Sequence, residues 1–351
     1  MRRILLRLVR LVFAVWGLIS LLFVLTSTLP GEQRLLIRFS ETTTGGEIPS
    51  LSQTTAAQAA LKQRLGLANP VFYFSSSSPN TLLGWRWQWN GVHNQYHRWL
   101  SGLLRGNLGY SYSTEEPVTT SLTQAWLVTA PLACLAALLI IGISIPLGVW
   151  LASRSGSHWL YTALYALDAL PLFVVALLLL LLLATPDYFA LFPAFGLGFE
   201  EDGSGVGLIL QYPMFIVLPL ASLVLSGLTE PTLQLADALR QEARFDYILT
   251  AQAKGLTRKQ ALWHHGLRNA LLPTLTLFTE VLPNLLAGAV VVEFIFALPG
   301  MGHLLAEAAA ARDYPVLLGG VLVVVVTRQL MLSLADWLHQ LTDPRLRVSS
   351  P

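Results

Sequence analysis

Charge is scarce in this sequence. Asp, Glu, Lys and Arg make up 12% of its 351 residues, against about 25% in soluble globular proteins. A chain so poor in charge, with 54% hydrophobic residues, is not a soluble globular domain. Lysine is scarcer still: only Lys62, Lys254 and Lys259 occur, and none is followed by Ser or Thr. No Gly-x-x-x-x-Gly-Lys-[Ser/Thr] loop can therefore cradle a nucleotide, so the chain carries no ATP-driven energy source of its own. The single cysteine, Cys134, excludes an intramolecular disulfide and a thiolate metal cluster. It lies inside an apolar run and reads as a small core residue. Neither His-Glu-x-x-His nor Gly-x-Ser-x-Gly is present. His264 and His265 are adjacent, so on a helix they point about 100° apart and make a poor metal pair. A net charge of +2 without a basic tract argues against nucleic acid.

What the chain does have is apolar length. Mean hydropathy is +0.58, and several uncharged stretches exceed the ~20 residues a helix needs to cross a hydrocarbon core of about 30 Å. The expected fold is all-α and polytopic, with six transmembrane helices. Arg2, Arg3, Arg7 and Arg10 precede an uncharged run from Leu11 to Gly31. That run is long and lacks an Ala-x-Ala-like cleavage site, so 1–30 reads as an uncleaved first helix rather than a signal peptide. Residues 31–122 are largely polar. Further spans are expected near 123–152, 158–184, 211–229, 271–297 and 315–341, making 123–345 a five-helix core. Pro146 is expected to kink or end the second helix.

The charge bias of short loops orients the bundle. Arg154, the 230–270 segment (Arg240, Arg244, Lys254, Arg258, Lys259, Arg268) and the tail (Arg345, Arg347) lie on the side of the N-terminal arginines. The opposite short loops hold Arg312 alone, beside Asp187, Glu200, Glu201 and Asp202. Both termini are therefore expected in the cytoplasm, 31–122 outside, and the protein in the cell (inner) membrane.

The 230–270 segment is charged yet patterned like short helices: Leu235, Ala238 and Leu239, then Leu256, Gln260, Ala261 and His264, recur at helical spacing. Gly255 interrupts the pattern between small neighbours. Glycine beside small side chains lets a helix turn sharply and be approached closely.

Phe245-Asp246-Tyr247-Ile248-Leu249-Thr250-Ala251-Gln252-Ala253-Lys254-Gly255-Leu256, continued by His265-Gly266-Leu267-Arg268-Asn269-Ala270-Leu271-Leu272-Pro273, resembles the cytoplasmic loop of ABC transporter permeases of the dipeptide/oligopeptide/nickel import family. Other resemblances keep the family's order along nearly the whole chain. They include Leu61–Leu67, Gln95–Leu100 through Gly106–Ser111, Ile145-Pro146-Leu147-Gly148, and Val290–Glu293 with Leu298-Pro299-Gly300-Met301-Gly302. Ala311–Val316, Asp336 and Asp343-Pro344-Arg345-Leu346-Arg347 complete the set.

The resemblance implies a type I importer permease fold and a coupling helix seated in a cleft of an ATPase subunit. Leu249, Thr250, Ala251, Ala253, Lys254, Gly255 and Leu256 would form the coupling segment. Leu249-Thr250-Ala251 keeps the third signature position and the glycine, but not an acidic first residue. The implied partners are a second permease, two ATPase subunits that bind ATP and Mg, and an extracytoplasmic binding protein. The implied cargo is di- or oligopeptides, with nickel or a metal chelate as the alternative. A self-sufficient secondary carrier or channel is the rival from another class, and it leaves the 230–270 segment without a partner.

Two features depart from the family. Residues 71–94, with Trp85, Trp87 and Trp89, look like an insertion: a strand, an interfacial anchor or a contact for a binding protein. Glu280, Pro283 and Arg328 stand where apolar or small residues are expected. Ionisable residues inside spans are expensive and are functional candidates, here Asp168, Glu280, Glu293, Arg328 and Asp336. Glu293 is open to a structural or a gating role. Arg328 is expected to pair with Glu280 or Asp168, to snorkel toward the surface, or to touch cargo.

Overall fold

The computed structural model describes residues 13–24 except 18 and 22, 69–77, 86–193 except 155 and 157, and 213–342. The expected first helix is therefore described only in part, and Leu61–Leu67, Trp85, Glu200–Asp202 and Asp343–Arg347 lie outside the described residues. The described chain is mostly helical and divides into two compact units, Met1–Leu122 with Glu307–Leu322, and Thr123–Ala306 with Val323–Pro351.

The first unit contains helical residues at 13–17, 19–21 and 23–24. Strands β1 (Phe74–Ser77) and β2 (Arg86–Trp89) and helix α1 (Gln95–Leu104) come next. The strands pair antiparallel, with Phe74 opposite Trp89 and Ser76 opposite Trp87. The expectation of an all-α chain is corrected here by one small sheet. Alternation of aromatic and polar residues through Arg86-Trp87-Gln88-Trp89 suits a strand, not a helix. Asn94 caps α1 by accepting the His97 amide at 2.7 Å. The unit's core is aromatic: Phe23, Tyr96 and Leu318 are buried against Phe72, Tyr73 and Trp99. The Ser20 and Tyr96 hydroxyls meet at 2.6 Å. Elsewhere in this unit the Ser111 hydroxyl donates to the buried Asp313 carboxylate, which also accepts the Ser113 amide at 3.2 Å.

The remaining helices, which belong to the second unit apart from 118–122, 307–311 and 314–322, are α2 (Val118–Ser153), α3 (His158–Asp168), α4 (Leu172–Ala184), α5 (Met214–Glu242), α6 (Asp246–Ala253), α7 (Arg258–Ala261), α8 (Leu267–Ile295), α9 (Met301–Ala311) and α10 (Tyr314–Thr342). A π turn, Leu262–Gly266, joins α7 to α8. Among the described residues, four helices are long and apolar enough to cross a membrane, spanning Val118–Ser153, Met214–Glu242, Leu277–Ile295 and Tyr314–Ala335.

The expected span 158–184 is not straight. α3 and α4 meet at 104°, a bent pair that makes a fifth candidate span only if counted as one. Proline is the reason: Pro171 lacks an amide hydrogen and pushes Leu170 away from helical geometry. Leu170 closes α3 by bonding to Leu167, and the Pro171 carbonyl starts α4 by accepting from Val174 and Val175.

The second helix reaches Ser153, in keeping with the expected span 123–152, so of the two outcomes expected at Pro146 ending the helix is excluded. Another expectation changes. α5 continues past Glu230 and Pro231 to Glu242. Thr232 reaches back to the Leu228 carbonyl at 2.6 Å, so local side-chain bonding supports the helix around the proline. Close approach of small residues brings α2 to α5. A Cβ on Gly148 would stand 3.2 Å from Leu235, and one on Gly227 would stand 2.6 Å from Ile140. Cys134, expected in the core, is exposed on α2.

Candidate functional site

The residues singled out by sequence fall into three places within the second unit. The first is the short-helix block between α5 and α8. α6 begins at Asp246, whose carboxylate suits the positive end of the helix dipole. Its inner face is small: Ile248, Ala251 and Ala261 are buried together, with Leu256 packed against them. Its outer face stays apolar and uncovered, with Phe245, Tyr247, Leu249 (52% exposed) and nearby Trp263 all accessible. Thr250, Ala253 and Lys254 are also exposed. α6 ends at Gly255, whose φ of +96° is a conformation that L side chains rarely adopt. A Cβ there would meet nothing within 4 Å, so the glycine serves the backbone alone. Thr257 and Gln260 then form a capping box that starts α7.

A polar knot ties this block to its neighbours. The Tyr247 hydroxyl donates to Glu242 at the end of α5. Asn269 of α8 donates to the Tyr247 oxygen at 3.1 Å. Burial, and then the hydrogen bond to Glu242, raise the Tyr247 phenol above its usual value of 10.0, so it is a neutral donor at physiological pH. Sequence inspection misses this knot because its three members are dispersed along the chain.

The second place is the end of α8. Glu293, open to two readings in sequence, is 0% exposed. Its carboxylate accepts the Gly302 amide at 2.7 Å, and its carbonyl accepts from Leu298 at 2.9 Å. Ala297 bonds back to Phe294 with a φ of +48°, completing a Schellman-type stop at the end of the helix. Thr129 of α2 receives the Met301 amide at 2.9 Å. A Cβ on Gly300 would run into the Glu293 carboxylate, and one on Gly302 into the Val290 backbone. The Pro299-Gly300-Met301-Gly302 turn is thus built around Glu293, and the contacts are those of a structural anchor.

The third place is a cavity of about 220 Å3 in the bundle. Asp168 at the end of α3 and Glu280 of α8 both line it, with Asn284 one turn beyond Glu280. They are joined by Glu230 and Ser226 of α5. Glu230 is not recognisable from sequence, where a charge at that position reads as the end of a span. Charged groups in apolar helices face such cavities because lipid contact is costly. Arg328 is not in this group. It is exposed on α10, and among the described residues no ion pair joins it to Glu280 or Asp168, one of the three roles expected of it. Asp336 also lies on α10; its side chain is outside the described residues.

The chain is 35% identical over 266 residues to the oligopeptide transport system permease protein AppB of Bacillus subtilis (strain 168), covering 72% of this chain and 79% of that protein. It is 32% identical over 274 residues to the dipeptide transport system permease protein DppB of Escherichia coli (strain K12), covering 72% and 80%. It is 34% identical over 281 residues to the di/tripeptide transport system permease protein DppB of Pseudomonas aeruginosa (strain UCBPP-PA14), covering 73% and 81%. The model of the binding-protein-dependent transport system inner membrane component family matches residues 144–348, from the second half of α2 through α10. With this family match over more than half of the chain and these relatives, the chain belongs to this family of transport permeases.

Proposed function

We propose that this chain forms one half of the translocation pore of an ATP-driven importer whose cargo is a di- or oligopeptide. The observation that carries the reading is the family match across 144–348. Relatives named for oligopeptide and dipeptide transport favour peptides over nickel or a metal chelate. The chain would act as a multi-pass inner-membrane subunit with six membrane helices and both termini in the cytoplasm, as its short-loop charges argue.

A second permease would complete the pore. Two ATPase subunits, carrying the ATP and Mg, would each grip a short-helix block, and an extracytoplasmic binding protein would deliver cargo. The uncovered Phe245, Tyr247 and Leu249 supply the apolar contact for the ATPase cleft, and aromatic residues are favoured at such contacts. Closure of the ATPase pair then moves α6 and α7 as a body and switches the bundle between two access states.

The test is ATP-dependent uptake of a labelled dipeptide into vesicles holding the complete complex and its binding protein. Gly255→Val should cut uptake at least tenfold while the chain still inserts and the ATPase subunits still hydrolyse ATP. Uptake by this chain alone, without ATP, would replace the importer with a self-sufficient carrier. Uptake of a Ni²⁺ chelate but no peptide would move the cargo to the metal class.

A further inference from the structure

The tryptophan-rich insertion plays no part in the transport reading, and its surroundings in the first unit give it a use. Leu318 lies four residues, about 6 Å of helix rise, inside the apolar span that begins at Tyr314. Tyr96 is buried against Leu318 and Phe23 and bonds to Ser20 within the apolar N-terminal run. Tyr96 is therefore held about one helical turn below the membrane surface at the Tyr314 end of α10. Ring contacts lead from it to the hairpin: Tyr73 is 5.8 Å from Tyr96, and Trp89 stacks on Tyr73 at 5.8 Å. Phe74 meets Trp89 edge-on at 4.7 Å. Two such steps from that depth reach the headgroup layer, which is roughly 5–8 Å thick on each side of the hydrocarbon. The last rings of the series are uncovered, Trp89 at 60% and Phe74 at 52%, with Val92 exposed beside the strand end.

Charge fits the same location. No Asp or Glu occurs from Arg86 to Thr114, whereas Arg86, Arg98 and Arg105 do. Arg98 and Arg105 are exposed on and just after α1. Tryptophan at the headgroup level with basic side chains beside it is the composition of a membrane-interface anchor. A stretch of chain without carboxylates suits phosphate groups.

We propose that the β1–β2 hairpin and α1 dock on the phospholipid headgroup layer, with Phe74, Trp89 and Val92 at the boundary with the acyl chains and Arg98 and Arg105 on the phosphates. The occupant of this aromatic surface is lipid. It holds the β1–β2 pair and α1 against the bilayer whether or not a binding protein is present.

The test places a nitroxide at Val92→Cys, in a Cys134→Ser background, on the full chain with its co-purifying subunits in nanodiscs of mixed zwitterionic and anionic phospholipid. Without binding protein, the label should be several-fold more accessible to oxygen than to a water-soluble nickel relaxant, at a depth near the phosphates. Trp89→Glu should reverse that ratio while the complex still assembles. A water-accessible label in the wild-type background overturns the proposal. So does a label that is water-accessible until binding protein is added, which would assign the surface to a protein. A second measurement needs no label: quenching of tryptophan emission by lipids brominated high on the acyl chain should fall in Trp89→Phe. Unchanged quenching would refute the anchor.

Discussion

Two turns in this molecule depend on glycine for opposite reasons. At Gly300 and Gly302 the backbone is crowded, and a methyl group would strike Glu293 or the Val290 main chain. At Gly255 there is open space all round, and only the +96° φ demands glycine. The first turn is locked by a buried carboxylate; the second is exposed, between two short helices. A crowded glycine serves packing, so replacing it should damage the fold. An uncrowded glycine at positive φ sets a direction, so replacing it should misalign α7 against α6 and leave the fold standing. A glycine in the sequence can thus carry either of two kinds of constraint.

The comparison can be broken most forcefully at Gly302. Gly302→Ala should cost about 1–3 kcal/mol or more through overpacking against backbone that cannot move aside, read as a lower melting temperature in detergent and poor membrane yield. Glu293→Ala should come next, since it strands the buried Gly302 amide at a cost of about 1–3 kcal/mol. Glu293→Gln keeps an acceptor and should recover much of that loss in the same assay. Gly255→Val should leave the melting temperature near that of the wild type while removing uptake, and Gly255→Asn, which tolerates a left-handed backbone better, should fall between. Equal thermal damage at Gly255 and Gly302 would erase the distinction. Tyr247→Phe removes two exposed hydrogen bonds, the one donated to Glu242 and the one accepted from Asn269, each worth about 0.5–1.5 kcal/mol. Its effect should show as reduced peptide-stimulated ATP hydrolysis more than as lost stability. Arg328→Leu should change stability by no more than about 0.5 kcal/mol, as an exposed residue away from any network does. A large loss there would reinstate an ion pair.

Sequence makes the apolar spans legible because uncharged length is a local property. It does not place the break at Asp168–Pro171, since proline is tolerated in several membrane helices here, including α2 at Pro131 and Pro146 and α5 at Pro219 and Pro231. What distinguishes Pro171 is the backbone bonding on each side of it. The end of α5 is misleading in sequence because Glu230 looks like a boundary, whereas its charge is accommodated by a cavity. Composition cannot reveal a cavity. The short-helix block is readable from Gly255 and its small neighbours, but the polar knot of Glu242, Tyr247 and Asn269 is not. Glu293 is ambiguous for the same reason, its partner Gly302 lying beyond the helix end. Alternating tryptophans allow a strand, and register alone shows Trp89 opposite Phe74.

α2 spans 36 residues, about 54 Å of helix rise, far more than the membrane is thick. Near its start Thr129 holds the Met301 amide. Near its end Val149 and Ala152 pack with Leu239 and Leu262 beside the short-helix block. These two attachments are roughly 30 Å apart along one rod. α2 can therefore act as a lever pivoted at one end: a tilt of about 5° that left one attachment in place would carry the other through about 2–3 Å, the scale of a helix shift in a switching protein.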